Sequence, residues 1–129
     1  MRNALLLVCT LLLFLMAGAH GFLGGPVLDQ QLAAAHAPPD LAHTARLGWW
    51  FGSLCMASLG AVFLVAFLRS RRGNASFDAA LRVIATVLGG FGVATIAMLG
   101  PEPPVIGFVV FGVLAWLATL RKPAGGPIG

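Results

Sequence analysis

Charged side chains are rare in this chain. Of its 129 residues, 8 are Lys or Arg and 4 are Asp or Glu, while 59% are hydrophobic. A water-soluble domain this short cannot bury so much apolar side chain, because a small body has too much surface for its volume. The shortage of charge therefore excludes an ordinary soluble fold and makes lipid the solvent for much of the chain. The formal net charge of +4 does not point to nucleic acid, which needs basic residues gathered on a water-exposed face. Here they stand at the ends of apolar runs, the placement that the positive-inside rule describes.

Other absences narrow the chemistry. There are only two cysteines, Cys9 and Cys55, each inside an apolar run and at a different depth. They read as small hydrophobes and not as a disulfide. No His-x-x-His or Cys-x-x-Cys pair occurs, no histidine pair is placed across two spans to ligate haem, and no nucleophile has a base in reach. No acidic residue lies within an apolar run, and no run has the broken core of a secondary transporter; Gly89-Gly90-Phe91-Gly92 is the nearest to a weak point. Neither a catalytic residue nor a cofactor is expected.

Four apolar stretches remain, at about 4–23, 43–68, 79–99 and 103–120, and a helix needs about 20 residues to cross hydrocarbon. The runs are continuous, without the alternation of a barrel strand, and a spanning backbone must satisfy its own hydrogen bonds. The second run is expected to begin with Asp40 as N-cap after Pro38-Pro39. The third ends at Gly100-Pro101, a glycine and proline stop. The uncharged core of the fourth, Val105 to Leu120, is about 24 Å long at the helical rise, slightly short for a bilayer. The first run has a rival reading as a cleaved signal peptide, with Ala17-Gly18-Ala19 as cleavage site. Apolar character continuing through Phe22-Leu23 favours a retained helix.

Orientation follows from the cations. Arg2, Arg69, Arg71, Arg72, Arg82, Arg121 and Lys122 flank the ends assigned to the cytoplasm, with Arg46 alone on the other side. Asp29, Asp40 and Glu102 fall in the outer loops, and Asp78 starts a helix on the inner side, where the macrodipole favours it. The expected fold is all-α: one integral membrane domain over 1–129, a four-helix bundle with both termini cytoplasmic. Trp49 and Trp50 anchor the outer interface and Trp116 the inner one. A short helix over Val27–His36 is expected to lie on the outer surface. Residues 121–129, rich in glycine and proline, read as a flexible tail. The Asn74-Ala-Ser76 sequon would be cytoplasmic and serves better as a helix start.

Small residues recur at helical spacing, which in lipid lets helices approach closely because packing drives association there. The rows are Ala17, Gly21 and Gly25; Gly48, Gly52 and Gly60; and Ala85, Gly89 and Ala97. They close the bundle internally or, in the row beside Trp49 and Trp50, dock another protein. A candidate polar site on the outer side gathers His20, His36, His43, Asp29, Asp40, Arg46 and Glu102. Asp40 and His43 share a helix face at a spacing that metal ligands use. His20 lies inside the first span, where an ionisable group invites a functional reading. Arg46 snorkels outward or pairs with Asp40 or Glu102.

Over most of its length the chain resembles the short four-pass proteins of bacterial inner membranes, without a diagnostic motif. The resulting expectation is a multi-pass protein of that membrane without catalysis of its own. It would pack as an accessory or structural subunit against a larger membrane complex or, alternatively, bind or pass a lipid, quinone or other hydrophobic ligand.

Overall fold

The computed structural model describes residues 1–72, 78–101 and 103–120. The chain is all-helical, with no strand among those residues. The elements are α1 (Arg2–Gly18), a π-helical segment (Ala19–Gly24), α2 (Gly25–Ala34), α3 (Pro39–Arg71), α4 (Asp78–Leu99) and α5 (Pro103–Thr119). Among the described residues, three helical stretches are long and apolar enough to cross a membrane: Arg2–Ala34, Pro39–Arg71 and Asp78–Met98. The first two have 33 residues each, about 50 Å at the helical rise against a hydrocarbon core of about 30 Å. Helix α5 is apolar but has 17 residues. Glu102, the Asn74–Ser76 sequon, Arg121, Lys122 and the tail lie outside the described residues.

The helix expected over Val27–His36 is found as α2, but it does not stand apart from the first span. Helical backbone runs from α1 through the π segment into α2 without interruption. The cause is local. Pro26 lacks an N–H, and its ring crowds the carbonyl one turn earlier, which normally kinks or breaks a helix. A π turn immediately before it absorbs the misfit with one wide turn, and Pro26 then occupies the first turn of α2.

Helix α2 ends in a Schellman motif: the His36 N–H donates to the Ala33 carbonyl and the Ala37 N–H to the Leu32 carbonyl, each at 3.0 Å. His36 stands at the left-handed position, φ 50°, where glycine is usual, and it is exposed. The start of α3 differs from the N-cap expected at Asp40. The Pro38 carbonyl accepts the first helical bond, from Ala42 N–H at 3.0 Å, and Pro39 opens the helix. A proline suits that first position because its φ is already helical and its missing N–H would have been unpaired anyway. Asp40 sits in the first turn of the helix.

The helices form two compact units, residues 10–64 and residues 1–9 with 65–129, whose boundaries fall inside the continuous helices α1 and α3. Within 10–64 the chain is an antiparallel helical hairpin. A Cβ built at Gly60 would lie 3.4 Å from Leu13 and the Phe14 ring, and one built at Gly52 would lie 3.3 Å from the His20 ring. Leu13, Ala17, Gly21, Ala42, Ser53, Met56 and Phe63 are buried.

The other unit gathers the start of α1, the end of α3 and the helices α4 and α5. Helices α4 and α5 approach backbone to backbone: a Cβ on Gly112 would stand 2.7 Å from Gly89 Cα and 3.0 Å from the Ala85 carbonyl oxygen. Gly92 packs on Phe108 and Val109 of α5. The ends of these helices are tied by polar side chains. Arg2 donates through Nη2 to Asp78 at 2.5 Å and through Nη1 to Ser70 Oγ at 3.0 Å, and Ser70 donates to Asn3 Oδ1 at 2.6 Å. Arg82 donates to Thr119 Oγ1 (3.2 Å) and to its carbonyl (3.1 Å), which caps the last turn of α5. The Arg82 guanidinium also lies 5.6 Å from the centre of the Trp116 ring, whose Nε1–H donates to Thr86 Oγ1 at 3.1 Å.

Candidate functional site

The residues of unit 10–64 meet around the two adjacent tryptophans of α3. Trp49 faces the π segment. Its indole stacks on the His20 ring at 3.9 Å between centroids and 14° between planes, and its Nε1–H donates to the His20 carbonyl oxygen at 2.7 Å. A π turn shifts carbonyls out of the regular i+4 ladder, and this one is taken by a side chain of the facing helix. Gly24 makes room for the indole, since a Cβ there would come within 2.5 Å of Trp49 Cζ2. Trp50 covers Gly21, where a Cβ would stand 3.0 Å from the ring, and meets Phe22 edge to face at 6.0 Å. A side chain at 24 would force the Trp49 ring to shift, and one at 21 would need Trp50 to give by a few tenths of an ångström.

Beyond the rings, Arg46 Nε donates to Asp29 Oδ1 at 2.6 Å, with both side chains about half exposed (50% and 52%). The partner of Arg46 is therefore Asp29 of α2 in place of the expected Asp40, while the other expected partner, Glu102, lies outside the described residues. The reason is that α2 continues the first helix and carries Asp29 alongside α3. Between this ion pair and the tryptophans lies a hollow of about 260 Å³, lined by Gly21, Phe22, Gly25, Pro26, Leu28, Asp29, Arg46, Trp49 and Trp50.

The predicted outer polar set is only partly assembled. His20 and Arg46 belong to the neighbourhood of Trp49. His36 is in the turn after α2, and Asp40 and His43 are exposed on the first turns of α3. Glu102 lies outside the described residues. No group of three His, Cys, Asp or Glu side chains comes together among the described residues. The His20 ring, inside the first span as expected, packs on Trp49. Of the glycine rows, Gly21, Gly52 and Gly60 pack inside the hairpin and Gly89 against Gly112, while Gly25 and Gly48 have no neighbour among the described residues within 4 Å of a built Cβ. Ala85 is buried and Ala97 exposed. Trp116, the expected inner anchor, is bonded to Thr86. Cys9 is buried and Cys55 exposed, and both are free thiols.

Sequence reasoning placed Asp29 in the outer polar set but not as the partner of Arg46, and it missed Phe22, Pro26 and Leu28 as neighbours of the tryptophans and Gly112 as the partner of Gly89. The signal for Gly112 was its spacing from Ala115 and Thr119, a small-residue stripe at helical intervals. No such signal existed for Asp29, because its pairing depends on the helix continuing through Pro26.

The role of the Trp49 bond is testable. Trp49→Phe removes the donor from a part-buried carbonyl and is expected to cost about 1–2 kcal/mol of stability, read as a lower melting temperature in mild detergent by circular dichroism. Trp50→Phe, which keeps an aromatic edge contact with Phe22, is expected to cost less.

Comparison with protein family models, with curated proteins and with solved structures finds no match to this chain.

Proposed function

We propose that this chain is a multi-pass protein of a bacterial inner membrane, without catalysis of its own, that serves as an accessory or structural subunit of a larger membrane assembly. The membrane assignment is carried by one observation: large apolar side chains stay exposed along the long helices. Leu15 is 69% exposed, Phe51 68% and Val87 62%. In water each would favour collapse or aggregation; in lipid they are the outer surface.

Both termini on the cytoplasmic side is the orientation we favour. In the unit of residues 1–9 and 65–129, Arg2 bonds to Ser70 and Asp78, and Arg82 bonds to Thr119. These bonds bring the start of α1, the end of α3, the start of α4 and the end of α5 into neighbourhoods rich in arginine, which the positive-inside rule assigns to the cytoplasm. The subunit reading is supported by Gly48, which is exposed beside Leu47 and Phe51 with open space around it. A small residue flush with apolar neighbours is what a close-packed partner helix uses.

Gly48→Leu is the discriminating variant, because Gly52 already packs on His20. The variant is expected to retain the melting behaviour of the parent chain while a stoichiometric larger partner disappears from gentle-detergent purifications analysed by mass spectrometry. Release of the parent chain from membranes by alkaline carbonate would remove the reading altogether. A second reading, a module that binds a hydrophobic or amphiphilic ligand, is favoured by the aromatic hollow beside Trp49 and Trp50.

A further inference from the structure

We propose that the hollow beside Trp49 and Trp50 binds one zwitterionic phospholipid, with the lipid phosphate on Arg46, its ammonium on Asp29 and its chain region against the aromatic wall. The inference deepens the second reading above and rests on the membrane assignment.

Size restricts the ligand first. A hollow of about 260 Å³ falls below the roughly 300–1,000 Å³ of sites that bury whole drug-sized molecules. It can take part of an amphiphile whose remainder stays in the bilayer. The wall is Phe22, Pro26, Leu28, Trp49 and Trp50, with Gly21 allowing close approach to backbone. Tryptophans of this kind belong at headgroup level, so the polar edge of the hollow and the polar part of a lipid are at one depth.

Charge identifies the headgroup. The edge carries one guanidinium and one carboxylate, joined by a single bond from Arg46 Nε to Asp29 Oδ1. Nη1 and Nη2 of Arg46 and Oδ2 of Asp29 take no part in that bond, and neither residue makes a further polar contact among the described residues. Guanidinium nitrogens fork onto phosphate oxygens, and a carboxylate accepts from or attracts an ammonium. An exposed ion pair contributes little to stability, so its members can reorient toward a ligand at small cost. A net-anionic headgroup satisfies Arg46 but meets Asp29 with like charge, and a neutral amphiphile satisfies neither. A lipid carrying both charges matches both residues.

The test uses the full chain with Trp116→Phe, so that fluorescence reports Trp49 and Trp50. The protein is placed in nanodiscs of unbrominated lipid containing a small fraction of chain-brominated phosphatidylethanolamine, phosphatidylcholine or phosphatidylglycerol. The zwitterionic lipids are expected to quench at about fivefold lower mole fraction than phosphatidylglycerol, a modest charge-assisted preference. Asp29→Asn should reverse the order in favour of phosphatidylglycerol. Arg46→Gln should abolish the preference for zwitterionic lipid, with unchanged circular dichroism in both variants. Equal quenching by all three lipids would overturn the site while leaving the membrane assignment standing. So would displacement of every lipid alike by a short-chain quinone. Absence of quenching by any brominated lipid would overturn the site and the membrane assignment together.

Discussion

Gly112→Leu is expected to be the most damaging single substitution in the chain, lowering stability by about 3 kcal/mol, at the upper end of what overpacking costs. The Cβ alone would stand 2.7 Å from Gly89 Cα and 3.0 Å from the Ala85 carbonyl oxygen, and neither atom belongs to a side chain that can rotate away. Helices α4 and α5 would have to separate, and the contacts of Gly92 with Phe108 and Val109 would go with them. In lipid that loss is not offset by water exclusion, because separated apolar helices are solvated by equally apolar tails. Titration with a denaturing detergent, followed by circular dichroism, measures it. Gly48→Ala supplies the contrast: with nothing within 4 Å of its Cβ, it is expected to be neutral or to stabilise by up to about 1 kcal/mol through helix propensity.

Arg2→Met should have the second-largest effect, about 2 kcal/mol, by removing the guanidinium beside an Asp78 carboxylate that is only 12% exposed. Breaking a fully buried pair costs about 3–5 kcal/mol, and the 26% exposure of Arg2 discounts that figure. The same substitution removes the bond to Ser70, so the start of α1 loses its ties to both α3 and α4. Asp78→Asn combined with Arg2→Met should be less destabilising than the sum of the two single substitutions, because each single substitution already removes the shared ion pair. A double-mutant cycle on detergent-solubilised protein reads that sign directly.

Much of the architecture could be read without coordinates. The apolar runs correspond to helices, and the helix break at Gly100 and the helix start near Asp78 fall where glycine, proline and a dipole-favoured carboxylate place them. The candidate site is legible in part: Trp49 and Trp50 read as outer interface anchors, and His20, Asp29 and Arg46 as members of one outer polar set. Their relation is not. Pro26 signals a helix break by its own chemistry, and only a π turn, stabilised by glycines and by rings from the facing helix, lets α1 and α2 run on. That continuation carries Asp29 to Arg46 and makes Phe22 and Leu28 walls of the same hollow.

The sequence by itself determined that the chain is helical and apolar enough to span a membrane, and where its cations lie, because hydropathy and charge are properties of each segment taken alone. Only tertiary structure decided which glycines are closed by neighbours and which stay open, and which acid meets Arg46. Those outcomes depend on the register between two helices, and a register is set by the shapes of both partners at once. Gly52 and Gly48 lie four residues apart in one row, yet one packs on His20 and the other on none of the described residues.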